Sequence, residues 1–361
     1  MENIQKIKSL AANYLVEFVD IRRKIHAHPE LGFEEYKTAE LIAGKLKDMG
    51  ISYQTGIAKT GIVALIEGKN PAKKAIALRA DMDALPIEEK NTSDYQSQNK
   101  GVMHACGHDA HIACLLGAAK ILNELKNDFE GSVKLIFQPS EEKFPGGAQT
   151  MIKEGVLENP VPEFILGQHV LPTLESGKMG LRAGKYMAST DEIYLTITGK
   201  GGHAATPELN INPIIIASHI LIALQQITHF NPIPGLPAVL SFGRIEGKGR
   251  TNIIPDHVKI DGTLRCFDEE WRNEAHQRIV NISQSIAADM GGSCEVFIDK
   301  GYPFLINDVK LTEDIKRLAI EYLGKENVVD QEMRLTAEDF AYYSQKIPAC
   351  FYRDPNDKLS Q

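Results

Sequence analysis

Eleven residues, Gly101 to His111 (GVMHACGHDAH), constrain this chain more than any other stretch. They gather His104, Cys106, His108, Asp109 and His111, and an apolar, Ala-rich run from Ile112 to Leu122 follows at once. Thiolate and imidazole are the donors that zinc and its first-row neighbours prefer. Residues two apart cannot share one face of a helix, so Cys106 and His108 converge on one ion only from a turn ahead of the helix. Gly101 and Gly107 give such a turn its backbone freedom. The plainer reading makes Cys106 a small core residue and the histidines helix caps; for a lone C-x-H it would prevail. Acidic and imidazole partners recurring later in the chain favour a metal here.

At 361 residues the chain exceeds one ordinary core, so two domains are expected. A net charge of −8 with no basic stripe argues against nucleic acid as the main partner. The five cysteines are odd in number and form no C-x-x-C pair, which fits a reducing compartment. The N-terminus reads as an amphipathic helix without the continuous apolar core of a signal peptide. The most apolar window, Ile211 to Ile227, is interrupted by Asn212, Pro213, His219 and two glutamines. It is too short and polar to span a bilayer and reads as a buried or interface helix. The expectation is a cytoplasmic protein that engages neither membrane nor nucleic acid.

Along the chain, His26 to Glu35 (HAHPELGFEE) reads as a turn and the acidic start of a helix over Glu34–Met49, with His26 and His28 as scaffold. Strands are expected over Gly61–Glu67 and Lys74–Arg79, the second apolar throughout and buried. It runs into Asp81 and Asp83; Ser132–Phe137 runs into Glu141 and Glu142; Phe164–Gln168 ends at His169. Acidic or imidazole groups beyond the carboxyl ends of buried strands lie where open α/β sheets place their ligands. Each alone reads as a solvated turn, and Gly146-Gly147 fits an exposed loop; the recurrence tips the balance. From Asp191 the pattern changes to an alternating strand (Asp191–Thr198), a helix over about Asn212–His229, strands Ala238–Ile245 and His257–Cys266, a helix Glu269–Met290 and a strand Ser293–Ile298. This β-α-β-β-α-β order describes an inserted α+β domain. Helices Val309–Leu323 and Ala337–Gln345 follow.

Cys106, His108, Glu142 and His169 form a ligand set suited to one or two ions such as zinc or manganese. Adjacent Glu141 and Glu142 cannot both point the same way on an extended strand end, so one can bind metal while the other serves as general base.

The motifs HPELGFEE, ALRADMDALP, MHACGHDAH, FQPSEE, GKGGHAATP, GRIEGKGRTNIIPD, GTLRCFD and AEDFAYY resemble those of the peptidase M20 family. More narrowly they resemble its amidohydrolase branch of hippurate hydrolases, N-acyl-amino-acid deacylases and auxin-conjugate hydrolases. The likeness runs from about Arg22 to Tyr352. It implies an α/β fold: a metal-dependent catalytic domain with a mixed, mostly parallel sheet flanked by helices (residues 1–183 and 302–361) and an inserted α+β lid or dimerisation domain (184–301). It makes Cys106, His108, Glu142 and His169 ligands of two divalent ions (Mn, Zn, Co or Ni), Glu141 the general base toward a metal-activated water, and Asp83 an acid that orients a ligand. Asp81 stands where other branches carry a histidine ligand. His203 matches a histidine that polarises the scissile carbonyl in the partner's site of a homodimer, and Asn252 and Arg265 match residues that hold the substrate. The implied reaction is cleavage of the amide bond of N-acyl amino acids. The rivals are an inactive, metal-poor dimer and a small-peptide metallopeptidase; His108, where peptidase branches place an aspartate, argues against the second. A departure sustains the first: the branch supplies a last metal-binding histidine beyond Cys350-Phe351-Tyr352, and Arg353 to Gln361 (RDPNDKLSQ) holds none. The expectation is either a truncated or frameshifted chain or a lost ligand, with a weakened second metal position and a sheet short of its last strand and helix.

Overall fold

The computed structural model describes residues 2–229 and 235–355. The chain forms two compact units, the first running to Tyr186 with Ile306–Met333 and the chain from Asp339, the second comprising Met187–Leu305 and Arg334–Glu338. The second unit therefore takes in a short segment, 334–338, that the sequence pattern leaves with the catalytic domain.

Among the described residues the first unit carries an eight-stranded sheet in the order Ser52–Ile57, Gly61–Glu67, Ser132–Gln138, Ala75–Asp81, Ile165–Leu171, Ala349–Pro355, Met179–Leu181, Val328–Asp330. The three central strands, Ser132–Gln138, Ala75–Asp81 and Ile165–Leu171, pair in parallel, and Ala349–Pro355 continues parallel to Ile165–Leu171. The pairings of Gly61–Glu67 with its two neighbours are antiparallel. The sheet is thus mixed and mostly parallel at its centre. Ser132–Gln138 is buried at every residue, as a strand covered on both faces must be. Its one lysine, Lys134, satisfies its ammonium on the carbonyls of Val156 and Glu158 at 2.8 and 2.5 Å. The edge strand Ser52–Ile57 escapes the sequence pattern because its polar residues stay mostly exposed.

Helix Glu2–Ala27 packs against helix His108–Glu124, with Phe18, Ile21 and Ile25 meeting Leu115, Leu116 and Ala119 in one core with Ile42, Leu46, Ile62 and Leu135. The second helix spans Tyr36–Asp48, two residues inside its expected start. Val309–Leu323 is a helix as the pattern predicts, capped by Asp308. The expected helix Ala337–Gln345 shrinks to one turn, Ala341–Ser344, because Asp339 is drawn into buried hydrogen bonds.

The second unit is a four-stranded antiparallel sheet in the order Val239–Glu246, His257–Arg265, Asp191–Thr198, Ser293–Lys300. Helices Pro213–Leu224 and Glu269–Asp289 cover it, packing Ile216, Ile220, Leu224, Trp271 and Ile279 onto Ile193, Leu195, Ile197, Val258 and Ile260. The expected single helix to His229 breaks at Gln225 into Pro213–Leu224 and a four-residue turn, Gln226–His229. No helix of the described residues is long and apolar enough to cross a membrane.

Candidate metal centre

Gly107 is the N-cap of helix His108–Glu124, with φ 88° and ψ 18°. That left-handed conformation suits glycine, and a Cβ there would stand 2.5 Å from Val170 Cγ2. Cys106 occupies the turn, as the spacing requires. His108 does not: it is the first helical residue. The two still converge, because the left-handed step at Gly107 turns the chain between them.

The parallel strands bring their carboxyl ends side by side. Asp81 closes Ala75–Asp81, with Asp83 two residues on, and Glu141 and Glu142 follow Ser132–Gln138. His169 lies inside its strand rather than at its end, since Ile165–Leu171 runs two residues further. Ligand atoms of Cys106, His108 and His169 fall within 4.8 Å of one another, as do those of His108, Glu141 and Glu142. His108 joins the two groups.

The rings are oriented by their partners. His169 Nδ1 donates to the Val170 carbonyl at 2.7 Å, which leaves Nε2 as the lone-pair nitrogen, 3.3 Å from Cys106 Sγ. Burial, with His111 and Arg353 nearby, holds His169 well below the usual imidazole range, so the ring is neutral and able to ligate. His108 Nδ1 faces Asp83 Oδ1 at 3.3 Å, and Nε2 lies 3.9 Å from Glu142 Oε1. Burial alone would depress His108, but the Asp81 and Asp83 carboxylates outweigh it and raise it well above 6.5. Burial raises the Cys106 thiol, so its thiolate needs a cation beside it.

A divalent ion fits this set. His108 is fully buried and neither ring nitrogen makes a hydrogen bond among the described residues. A buried polar group in that state calls for a partner, and thiolate, imidazole and carboxylate donors together suit zinc and its neighbours.

Several supports of the site are not apparent from the sequence pattern. Asp83 accepts the backbone N–H of Glu141 at 2.9 Å and of Glu142 at 3.0 Å, one on each oxygen, while facing His108. One carboxylate thus holds the turn that carries the acids while facing a candidate ligand. Ser140 adopts φ 51°, a left-handed conformation unusual outside glycine. Glu35 stabilises it by accepting Ser140 N–H at 2.8 Å and Thr60 Oγ1–H at 2.6 Å. The sequence pattern assigns Glu35 to a helix start; the fold uses it to hold the turn before Glu141. Gly147, read as exposed loop, is buried, and a Cβ there would meet the Pro139 carbonyl at 1.7 Å.

Beneath the acids, Arg79 donates to Asp81 at 2.7 Å, to Asp339 at 2.8 Å and to Gln138 at 2.9 Å, all fully buried. Asp339 also accepts Ala148 N–H at 2.9 Å, and its own N–H reaches Glu141 Oε1 at 3.3 Å. An arginine inside an otherwise apolar strand was the sequence signal for this network, since a buried cation must be paired.

Asp81 and His111 fall in a third close group with His108, yet both are already engaged. His111 Nδ1 donates to Asp81 Oδ1 at 2.6 Å and its Nε2 accepts Val170 N–H at 2.9 Å. His111 is a strut between strand and helix. His26 is buried and paired, and His28 is exposed.

In the second unit, His203 is exposed on the two-residue strand Gly202–His203, paired with Ile253–Ile254, and Ala204 N–H donates to the Asn252 carbonyl at 3.1 Å. This ribbon brings His203 and Asn252 together. His203 Nδ1 accepts Ala205 N–H at 3.1 Å, so the neutral ring carries its proton on Nε2. Arg265 ends strand His257–Arg265 and lines an open groove of about 430 Å³ with Thr190, Glu192, Ser241 and Thr263. Residues 356–361, which bear on the expected missing histidine, lie outside the described residues; Arg353–Pro355 complete the strand Ala349–Pro355.

Comparison with known proteins meets this geometry. The chain is 42% identical over 335 residues to the N-acetyl-L-cysteine deacetylase of Bacillus subtilis (strain 168), covering 93% of this chain and 79% of that one. It is 38% identical over 355 residues to thermostable carboxypeptidase 2 of Saccharolobus solfataricus, covering 98% and 89%. The crystal structure of the YXEP protein of Bacillus subtilis, described as a dinuclear metal binding peptidase of the M20 family, superimposes with a TM-score of 0.83 at 33% identity, covering 96% and 90%. Residues 77–361 match peptidase family M20/M25/M40. The chain belongs to that family and is a hydrolase of amide bonds.

Proposed function

We propose that this M20 enzyme cleaves the amide bond of N-acyl amino acids, releasing a carboxylic acid and the free amino acid. The observation that carries the reading is the convergence of Cys106, His108 and His169 on one buried point with Glu141 and Glu142 beside it. Cys106, His108, Glu142 and His169 would hold the divalent metal, two ions of manganese, zinc, cobalt or nickel. When bound, such ions supply Lewis acidity toward the scissile carbonyl and the attacking water. Glu141 takes the proton of that water and returns it to the leaving nitrogen. The Asp339 N–H at 3.3 Å from Oε1 fixes the direction in which the Glu141 carboxylate faces. His203 of the partner subunit donates from Nε2 to the developing oxyanion. Arg265 receives the substrate carboxylate, for which its planar fork is suited, and Asn252 holds the amide.

The deacetylase relative supports N-acyl amino acids as substrates, and the carboxypeptidase relative keeps small peptides as the second reading. The protein works as a homodimer through its second unit: helix Pro213–Leu224 is strongly apolar, with Ser218 and His219 as its polar side chains, and leaves Ile215 and Ile222 48% and 70% exposed. The test replaces Glu141 with Gln and follows hydrolysis of a panel of N-acyl amino acids and dipeptides, with metal content per chain measured alongside. Turnover should fall by at least about 100-fold. Near-parental turnover sinks the mechanism; a parent without metal and without turnover favours the inactive, metal-poor dimer.

A further inference from the structure

Next to the turn that bears Cys106 and the helix start at His108 lies a second buried constellation, assembled from three separate segments. Arg22 and His26 come from the end of helix Glu2–Ala27, Asp109 from the first turn of His108–Glu124, and Glu89 from the loop between them. Asp109 Oδ2 accepts Arg22 Nε–H at 2.7 Å and His26 Nδ1–H at 2.8 Å. The other ring nitrogen of His26 reaches Glu89 Oε1 at 3.1 Å. Two carboxylates face one imidazole, and against burial they raise its pKa above the ordinary value. What this cluster joins matters.

The loop that carries Glu89 is closed by paired hydrogen bonds of 3.0 Å between Leu85 and Met103. It leaves two residues after Asp83 and returns three before Cys106. Glu89 is its hub, accepting Ser97 N–H at 2.6 Å and Asn91 Nδ2–H at 3.2 Å. Tyr95, from the same loop, meets the His26 ring edge-on at 5.4 Å and lies under Arg22 at 5.1 Å. His26 therefore couples the segment leading into Cys106 with the helix turn that begins at His108. His26 hydrogen-bonds both carboxylates, Asp109 and Glu89.

We infer that His26, Glu89 and Arg22 are positioning residues for the metal centre, acting through Asp109 to fix Cys106 relative to His108. The inference rests on the metal reading given above. Outer partners of metal ligands typically govern affinity by 10- to 100-fold, and this relay stands one contact further out. A loss of about 10-fold is therefore expected.

The test titrates cobalt(II) into the metal-stripped full chain and its variants, following the thiolate-to-cobalt charge-transfer absorption as a direct report on Cys106. His26→Asn and Glu89→Gln should weaken cobalt binding about 10-fold and diminish that band, while far-UV circular dichroism stays parental. Arg22→Lys, which keeps the charge without the Nε contact, should fall between. Ile279→Val, a core change in the second unit, controls for lost stability and should leave cobalt binding unchanged. Glu89→Gln keeps the side-chain shape and carries the test if His26→Asn does not fold. Cobalt affinity and band within twofold of parent in the folded variants overturn the inference. A parent without any Cys106-dependent band instead overturns the metal reading itself.

Discussion

Gly107→Ala probes the centre at the residue that joins two of its proposed ligands, and its consequence can be worked from the backbone. At φ 88° an L-residue is strained by roughly 1–2 kcal/mol. The new methyl would stand 2.5 Å from Val170 Cγ2, far inside the ~3.5–4 Å of ordinary carbon contact. Relieving such overpacking costs typically about 1–3 kcal/mol. The total is roughly 2–5 kcal/mol, a large part of a domain's stability. Neither side can yield harmlessly. Cys106 and His108 flank Gly107, while Val170 follows His169, accepts its ring N–H at 2.7 Å and donates to His111 at 2.9 Å. Metal affinity should fall by about 10- to 100-fold with stability. The assay is urea unfolding of the metal-free protein together with metal titration, carried through a cycle with Val170→Ala. Removing the valine methyls relieves the clash and leaves the backbone strain, so the double variant should recover about 1–3 kcal/mol relative to additivity. An additive cycle, or a Gly107→Ala protein as stable and metal-binding as the parent, would refute the reasoning.

Three further outcomes follow from the same structure. Asp339→Asn removes one of the two carboxylates that hold Arg79 in a fully buried strand, and should destabilise the fold by about 3–5 kcal/mol in urea unfolding; a loss under 1 kcal/mol would show that Asp81 suffices. Burial pulls Lys134 from 10.5 down to about 8, so between those values the unfolded chain binds the extra proton and stability rises with pH. Relative to Lys134→Met, the parent should gain up to roughly 3 kcal/mol from pH 8 to 10.5, and parallel profiles would contradict this. Chelation should abolish hydrolysis and lower the melting temperature, and at an ion concentration 100 times Kd restored metal should return about 2.7 kcal/mol; an unchanged melting temperature would argue against a site coupled to the folded state.

Much of the framework was readable from periodicity, and its failures share a cause. Gly61–Glu67 and Val309–Leu323 appear where the pattern puts them because burial on one face or both dictates apolar spacing over their whole length. Ser52–Ile57 is a half-exposed edge strand whose residues follow a neighbour, Gly61–Glu67, that is absent from a local window. The helix expected over Ala337–Gln345 has suitable local composition, but Asp339 gains more from Arg79, Gln138 and Ala148 than from a helical turn. Tertiary hydrogen bonds among buried charges overrule propensities of a few tenths of a kcal/mol per residue.

At the centre, residue type was legible and direction was not. The C-x-H spacing announces two donors in one turn, yet only φ at Gly107 shows that the second can be helical and still meet the first. Asp81 and His111 carry donor atoms as His169 does, and residue type alone does not separate them. The fold separates them by what each already touches. His111 has both nitrogens engaged and Asp81 both oxygens, whereas His169 keeps Nε2 toward Cys106 and His108 has neither nitrogen hydrogen-bonded. Among these four side chains the candidate ligands keep a donor atom that the protein leaves unbonded, and the struts have theirs filled; His104, buried with both ring nitrogens unbonded, meets the same rule, so the rule picks out candidates only. That distinction depends on partners as distant in sequence as Arg79 and Asp339. No linear motif carries it, which is why Glu35, Arg79 and Asp339 emerge as parts of the site only in the folded chain.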